Sequence, residues 1–276
     1  MGEPTQSGEK PKFNPDLRKR YGSVRPLVKE TTEEMLQEDP TLDRQTVQST
    51  SFRTAEKMYP HIYRDSLTDL YNVRWFSEEL ARKVARANRR SGSNSTNLQF
   101  TSDDFNHQRK TYIILFDIDH LKKINDGLGH DVGNDALRLI KKLHTREDEP
   151  IARDGGDEFA QLVEIPENVT EEEAEHILQI IVARHTTEIA SESKTLLSEG
   201  PEKIQKSLSF SYGIARILPG DTAETVKKRA DLALYKAKEQ RNKAVIANTA
   251  FVTDREDQLY FKDVYNGNTH TNAIAA

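Results

Sequence analysis

The chain has 276 residues, 35% of them hydrophobic and 31% charged, with a net charge of −5 and no cysteine. That length holds one large domain, or one domain with a smaller segment attached. No stretch approaches the ~18 apolar residues of a membrane span, MGEPTQSGEKPKF lacks the apolar core of a secretory signal, and zero cysteines exclude disulfides and thiolate-held metal. The acidic balance argues against nucleic acid as a partner but leaves room for a nucleotide, which needs only a local cationic pocket. We place the chain in the cytoplasm.

Residues 1–30 are rich in Pro, Gly, Lys and Glu and read as loosely ordered. Residues 31–62 read as partly helical, broken at Pro40 and ended at Pro60. Together they form a polar N-terminal segment, 1–62. Next comes a Ser/Thr-rich turn, SLTDLYN, and a helix with Phe76, Leu80 and Val84 on one face. A polar loop, RRSGSNSTNLQFTSDDFNHQR, leads into TYIILFD, an apolar run of strand length expected to be buried on both faces. DVGNDALRLIKKLH predicts a helix with Leu137, Ile140 and Leu143 inward. PIARDGGDEFAQLVEI predicts a hairpin: Ile151 to Arg153, a tip at Gly155-Gly156, and Glu158 to Val163. TEEEAEHILQIIVARHTTEIA is a helix with acids in its first turn, as the helix dipole prefers. SLSFSYGIARI alternates like a strand, TAETVKKRADLALYKAKEQRN is amphipathic, and KAVIA closes the series as a short strand. Residues 248–276 read as a polar C-terminal tail. The mixture predicts an α/β (α+β) sandwich with a mixed central sheet flanked by helices.

Two acidic groups stand out. Asp117 and Asp119 end the apolar strand, and Asp157 and Glu158 follow the paired glycines. Two readings fit the hairpin: a solvated polar tip, or a site where glycine lets phosphates approach the backbone. Carboxylates at the end of a buried strand are costly unless a cation compensates them. If the strand continues, Asp117 and Asp119 share a face, because strand side chains alternate. With the hairpin as neighbour, three or four carboxylates converge, and hard oxygen ligands suit Mg²⁺ or Mn²⁺. Lys122, Lys238 and Arg241 are the candidate phosphate cations, against the plainer reading of solvated helix faces. His130 reads as structural.

RDGGDEFA resembles the GGDEF domain of diguanylate cyclases. DSLTDLYNVRWF, LFDIDHLKKINDGLGHDVGNDAL, SFSYGIA and ADLALYKAK support the resemblance in the family's order. It covers roughly Asp65 to Ala247, so residues 63–247 are taken as the GGDEF domain, a nucleotidyl-cyclase-like fold with the motif on a hairpin. The resemblance implies condensation of two GTP into cyclic di-GMP across a homodimer, with two Mg²⁺ or Mn²⁺ ions per half-site. It implies metal ligation by Asp117, Asp157 and the Ile118 carbonyl, with Glu158 as a further ligand or an aid in deprotonating the attacking hydroxyl. It places Gly155 and Gly156 against the α- and β-phosphates. The amides of His120 and Leu121, with Lys122, would hold phosphate oxygens. Lys238 would neutralise the triphosphate, and Asn125 would read guanine. Positioning and charge neutralisation are what phosphoryl transfer requires.

The sequence departs from the family at several points. Asn134 stands where an Asp usually partners Asn125; its amide satisfies guanine less well and could bond adenine, so ATP is a second candidate substrate. The product-inhibition motif reads REDE, Arg146 to Glu149, and its longer final acid weakens that site. KEQRN lacks the glycine usually found before Arg-Asn, which moves Arg241 by one position. The loop after the first helix and SESKTLLSEGPEKIQKS are longer than the family norm. A catalytic cyclase is the leading reading. A relaxed synthase of cyclic GMP–AMP or cyclic di-AMP is the second, and a non-catalytic nucleotide-binding scaffold is the third.

Overall fold

The computed structural model describes residues 25–41, 43–44, 47, 62–92, 109–143, 150–198, 206–249 and 259–266. The chain divides into two units, Met1–Arg64 and Asp65–Ala276. In the first, helix α1 spans Arg25–Glu38. It starts six residues before the expected helical segment. Pro26 lies in its first turn, where a missing N–H costs nothing. The helix stops short of Pro40, as expected. Asp39 Oδ1 accepts from the Thr41 amide at 2.9 Å and hydroxyl at 2.6 Å, and Arg44 pairs with Glu33 at 2.6 Å.

The second unit is built on a mixed seven-stranded sheet in the order β1-β3-β4-β2-β5-β6-β7. Its elements in chain order begin with β1 Tyr71–Asn72, α2 Val73–Gly92, β2 Arg109–Ile118, α3 Leu121–Leu128 and α4 His130–Leu139, with a 3-10 turn over Ile140–Leu143. Then come β3 Ile151–Gly155, β4 Glu158–Pro166, α5 Glu171–Glu188 and α6 Ala190–Leu196. The last are β5 Phe210–Arg216, α7 Ala223–Gln240, β6 Lys243–Thr249 and β7 Leu259–Asn266. Pairs β1–β3 and β5–β6 are parallel and the others antiparallel.

Local chemistry sets most of these boundaries. Asn72 Oδ1 accepts from the Trp75 amide at 3.1 Å and starts α2, whose Phe76, Leu80 and Val84 are buried as their spacing predicts. Capping boxes start α5 (Thr170 with Glu173) and α7 (Thr222 with Thr225). Strand β2 lies between β4 and β5, so every residue after Arg109 is buried. Its Tyr112, Ile114, Phe116 and Ile118 pack against Leu121, Ile124, Leu137, Leu178 and Val182 of α3, α4 and α5. The alternate residues turn toward α7.

Close packing of α7 positions the site. A Cβ at Gly213 of β5 would lie 2.1 Å from the Ala230 carbonyl oxygen and 2.2 Å from the Leu234 amide nitrogen. Only glycine admits the helix this near. One turn beyond Leu234, Lys238 then reaches the end of β2.

Several elements of the second unit differ from expectation, among them β1 and α3, which no periodic segment announced. Hairpin β3–β4 turns at Gly156-Asp157 rather than Gly155-Gly156, because Gly155 itself pairs with Glu158 after a register shift at Asp154. The segment read as a polar tail supplies β7, which pairs with β6 from Lys243↔Asn266 to Thr249↔Leu259. The longer segment after α5 holds α6. Among the described residues no helix is long and apolar enough to cross a membrane.

Candidate functional site

Strand β2 ends in a buried acid. Asp117 is 4% exposed and sits opposite Glu158 of β4 and Ser211 of β5. Directly paired residues share a face, so Asp117 and Glu158 project to the same side, toward α7. From α7, Lys238 Nζ donates to Asp117 Oδ2 at 2.8 Å. Burial pushes the Asp117 carboxyl up to about 6; the Lys238 hydrogen bond opposes this, while the Asp157 and Asp119 charges add to it. Asp157 is half-buried at the hairpin tip and Glu158 is exposed. Burial also raises Asp231 of α7, within the fields of Lys227, Glu158, Asp154 and Lys238.

Asp119 does not join this group. The strand stops at Ile118, and His120 takes a left-handed conformation, φ 62°, turning the chain into α3. Asp119 is fully buried between β5 and the end of α7. Its Oδ1 accepts from Ser211 Oγ at 2.6 Å and Arg241 Nη1 at 3.4 Å; its Oδ2 accepts from Ser209 Oγ at 3.0 Å and the Asn242 amide at 2.8 Å. A carboxylate so fully bonded is an anchor for the loop. Ser211 sits opposite Asp117 and bonds Asp119, so both acids do lie on one face, but the Asp119 oxygens are already taken.

Asp119 fixes the start of α3. That helix has no side-chain cap, so its leading amides face outward beside the acids. His120 is half-buried at this point, Leu121 packs into the core, and Lys122 is exposed. A helix N-terminus next to a cation-demanding carboxylate suits a phosphate.

The hairpin is held by contacts the sequence reading missed. Arg153 donates from Nε at 2.9 Å and Nη2 at 2.6 Å to the Gly156 carbonyl, and from Nη1 at 3.2 Å to Asp65 Oδ1. Asp65 also accepts from the Thr68 amide at 2.8 Å and hydroxyl at 2.7 Å. Lys227 of α7 pairs with Asp154 at 2.5 Å. The turn carrying Asp157 is thus clamped from both sides. The signals were present as an arginine beside the glycines and an Asp three residues before a Thr. A Cβ at Gly155 or Gly156 would meet nothing within 4 Å, and Gly156 has φ 47°. Open space lies over the tip, as an approaching ligand requires.

On the other side of the loop, Asn125 lies on α3 and Asn134 on α4, in a helical pair joined at Gly129, φ 90°. Both are half-buried. Arg241 caps α7 at φ 61°, ψ 163°, a region glycine enters freely and other residues rarely. Arginine thus occupies the left-handed position left by the absent glycine. His130 is exposed at the start of α4. Arg146 and Glu149 lie outside the described residues.

Among the described residues, no three Asp, Glu or His side chains gather closely enough to enclose a metal by themselves. The carboxylates that could supply donors to a cation are Asp117 and Asp157, and the Asp157 charge acts on Asp117. A buried carboxyl held near 6 beside a second acid fits a hard divalent cation that completes its shell with phosphate oxygens and water.

Comparison with known proteins gives the family. The profile described as "Diguanylate cyclase, GGDEF domain" matches residues 62–244. The probable diguanylate cyclase DgcC of Escherichia coli (strain K12) is 30% identical over 216 residues, covering 71% of this chain and 48% of that protein. The response regulator PleD of Caulobacter vibrioides is 30% identical over 189 residues, covering 67% of this chain and 36% of that protein. The chain therefore spans about half, or less, of the length of these relatives. In fold, it resembles the diguanylate cyclase SiaD of Pseudomonas aeruginosa, solved with its activator SiaC. The TM-score is 0.55 at 23% identity, covering 81% of this chain and 77% of that one.

Proposed function

The chain belongs to the GGDEF-domain diguanylate cyclase family, and we propose that it condenses two GTP into cyclic di-GMP and two pyrophosphates. The Asp117–Lys238 pair carries this reading: a buried carboxylate and a partly exposed ammonium 2.8 Å apart, at the mouth of a glycine turn and an uncapped helix. A metal-bound triphosphate supplies the opposite charge to each partner.

In this reading Asp117, Asp157 and the Ile118 carbonyl hold Mg²⁺ or Mn²⁺, two ions per half-site, which neutralise charge on the reacting phosphates. Gly155 and Gly156 leave space for the α- and β-phosphates. The first amides of α3, at His120 and Leu121, donate to phosphate oxygens, with Lys122 close by. Lys238 leaves Asp117 for the triphosphate, and Arg241, half-exposed one turn on, adds a second cation. Glu158, exposed opposite Asp117, is placed to take the proton of the attacking 3′-hydroxyl. That oxygen bonds to the α-phosphorus of the facing GTP, the bond to the β-phosphate breaks, and pyrophosphate leaves. The same step in the other direction closes the ring.

The chain carries one such motif, so two copies must meet face to face. Specific activity should therefore fall on dilution of the protein. A GTP-consuming enzyme works where GTP is held, so we assign this activity to the cytoplasm.

A second reading accepts ATP as well, because Asn134 offers an amide in place of a carboxylate. Purified protein incubated with Mg²⁺ and GTP, ATP or both, with products identified by mass spectrometry, decides between them. Cyclic di-GMP alone supports the first reading and mixed product the second. No product from any combination overturns both and leaves a nucleotide-binding scaffold.

A further inference from the structure

Gly133 is an anomaly within α4. Glycine weakens a helix, and here no unusual backbone conformation asks for it: the positive-φ glycines are Gly129, Gly156 and Gly220. Space is the reason. A Cβ at Gly133 would lie 1.8 Å from Asn125 Oδ1, 2.9 Å from its Cγ and 3.5 Å from its Nδ2. The terminal amide of Asn125 therefore rests directly on the α4 backbone, in the place a side chain would occupy.

Nothing else fixes that amide. No hydrogen bond among the described residues involves the Asn125 side chain; its backbone belongs to α3, with the carbonyl accepting from the Gly129 amide at 2.9 Å. An amide at a helix surface ordinarily samples several rotamers, and ordering it on binding costs affinity. Contact with a bare stretch of helix restricts it beforehand, leaving its hydrogen-bonding capacity for a ligand edge.

We propose that Gly133 is a positioning residue for base recognition, its missing side chain forming the slot that holds the Asn125 amide ready for a purine edge. This rests on the reading above, in which Asn125 faces the base. Gly133→Ala fills the slot and expels the amide, because the clashing atoms all belong to the Asn125 side chain, which can rotate away to another rotamer. Without the Asn125 amide no other atom lies nearer than 3.5 Å to that methyl, an ordinary contact, and alanine then strengthens the helix.

The test is a double-mutant cycle over wild type, Gly133→Ala, Asn125→Ala and the double variant. The probe is 3′-deoxyguanosine triphosphate, which has the base but cannot condense; inorganic tripolyphosphate, which has no base, is the control. We expect each single variant to bind the deoxynucleotide at least tenfold more weakly, with the double variant no weaker than Asn125→Ala. Tripolyphosphate affinity should stay within twofold throughout. The urea midpoint should rise less with Gly133→Ala in the wild-type background than in the Asn125→Ala background. Additive losses, an unchanged nucleotide affinity in Gly133→Ala, or an equal loss of tripolyphosphate affinity overturns the proposal while leaving the cyclase reading intact. A wild type that binds no deoxynucleotide overturns the cyclase reading, and this proposal with it.

Discussion

Asp117→Asn should stabilise the metal-free protein, and more so as the pH rises. Asp117 is buried at the end of β2, and its carboxyl is raised from the ordinary 3.8 to about 6, chiefly by burial. A group whose pKa is higher in the folded state favours folding while protonated; that contribution is complete below about 4 and lost as the pH rises through about 6. The full span is worth roughly 3 kcal/mol, of which about 1.4 kcal/mol falls between pH 5 and pH 8. Asparagine keeps the shape and an acceptor for Lys238 but cannot ionise. The assay is urea denaturation in EDTA, without nucleotide, at both pH values. The difference in unfolding free energy, variant minus wild type, should grow by about 1.4 kcal/mol from pH 5 to pH 8. The pH-independent cost of exchanging oxygen for nitrogen cancels in that comparison. Adding Mg²⁺ at pH 8 should raise the wild-type midpoint and leave the variant unmoved. A difference that stays constant or shrinks with pH would refute the premise that Asp117 is held at a cost to stability.

Three further perturbations follow from the geometry. Arg153→Ala removes both donors to the Gly156 carbonyl and the link to Asp65; it should cost about 2 kcal/mol in urea denaturation and lower cyclic dinucleotide formation more than about tenfold, whereas an unchanged rate would show that the clamp does not position Asp157. Arg241→Gly and Arg241→Ala both lose the contact with Asp119, but only glycine suits φ 61° and ψ 163°, so the glycine variant should be the more stable by about 1 kcal/mol. Equal stability would mean that the backbone there relaxes. Asn134→Asp should sharpen selection for GTP over ATP by roughly tenfold in a competition at equal concentrations; a wild type already yielding cyclic di-GMP alone, and unaltered by the substitution, would remove Asn134 from base selection.

The sequence by itself determined most of the elements and the chemical inventory. Periodicity placed α2, α4, α5 and α7, and the apolar run of β2 announced a strand buried on both faces. These depend on residues within a few positions of one another, so they survive being read one segment at a time. The paired glycines and the acids of RDGGDEF were legible for the same reason. What needed the tertiary structure was which groups meet. Asp117 and Lys238 are 121 residues apart in sequence and joined by a 2.8 Å hydrogen bond. Arg153 finds Asp65 across 88 residues. Asp119 looked like the partner of Asp117 because alternation puts both on one face. What alternation could not show is that donors from Ser209, Ser211 and Asn242, all supplied by later parts of the chain, already hold the Asp119 carboxylate. Likewise Leu259–Asn266, LYFKDVYN, whose apolar residues follow no clean alternation, becomes β7 where β6 offers it an edge. A residue's type decides what it can do; burial and long-range partners decide which of those capacities is used.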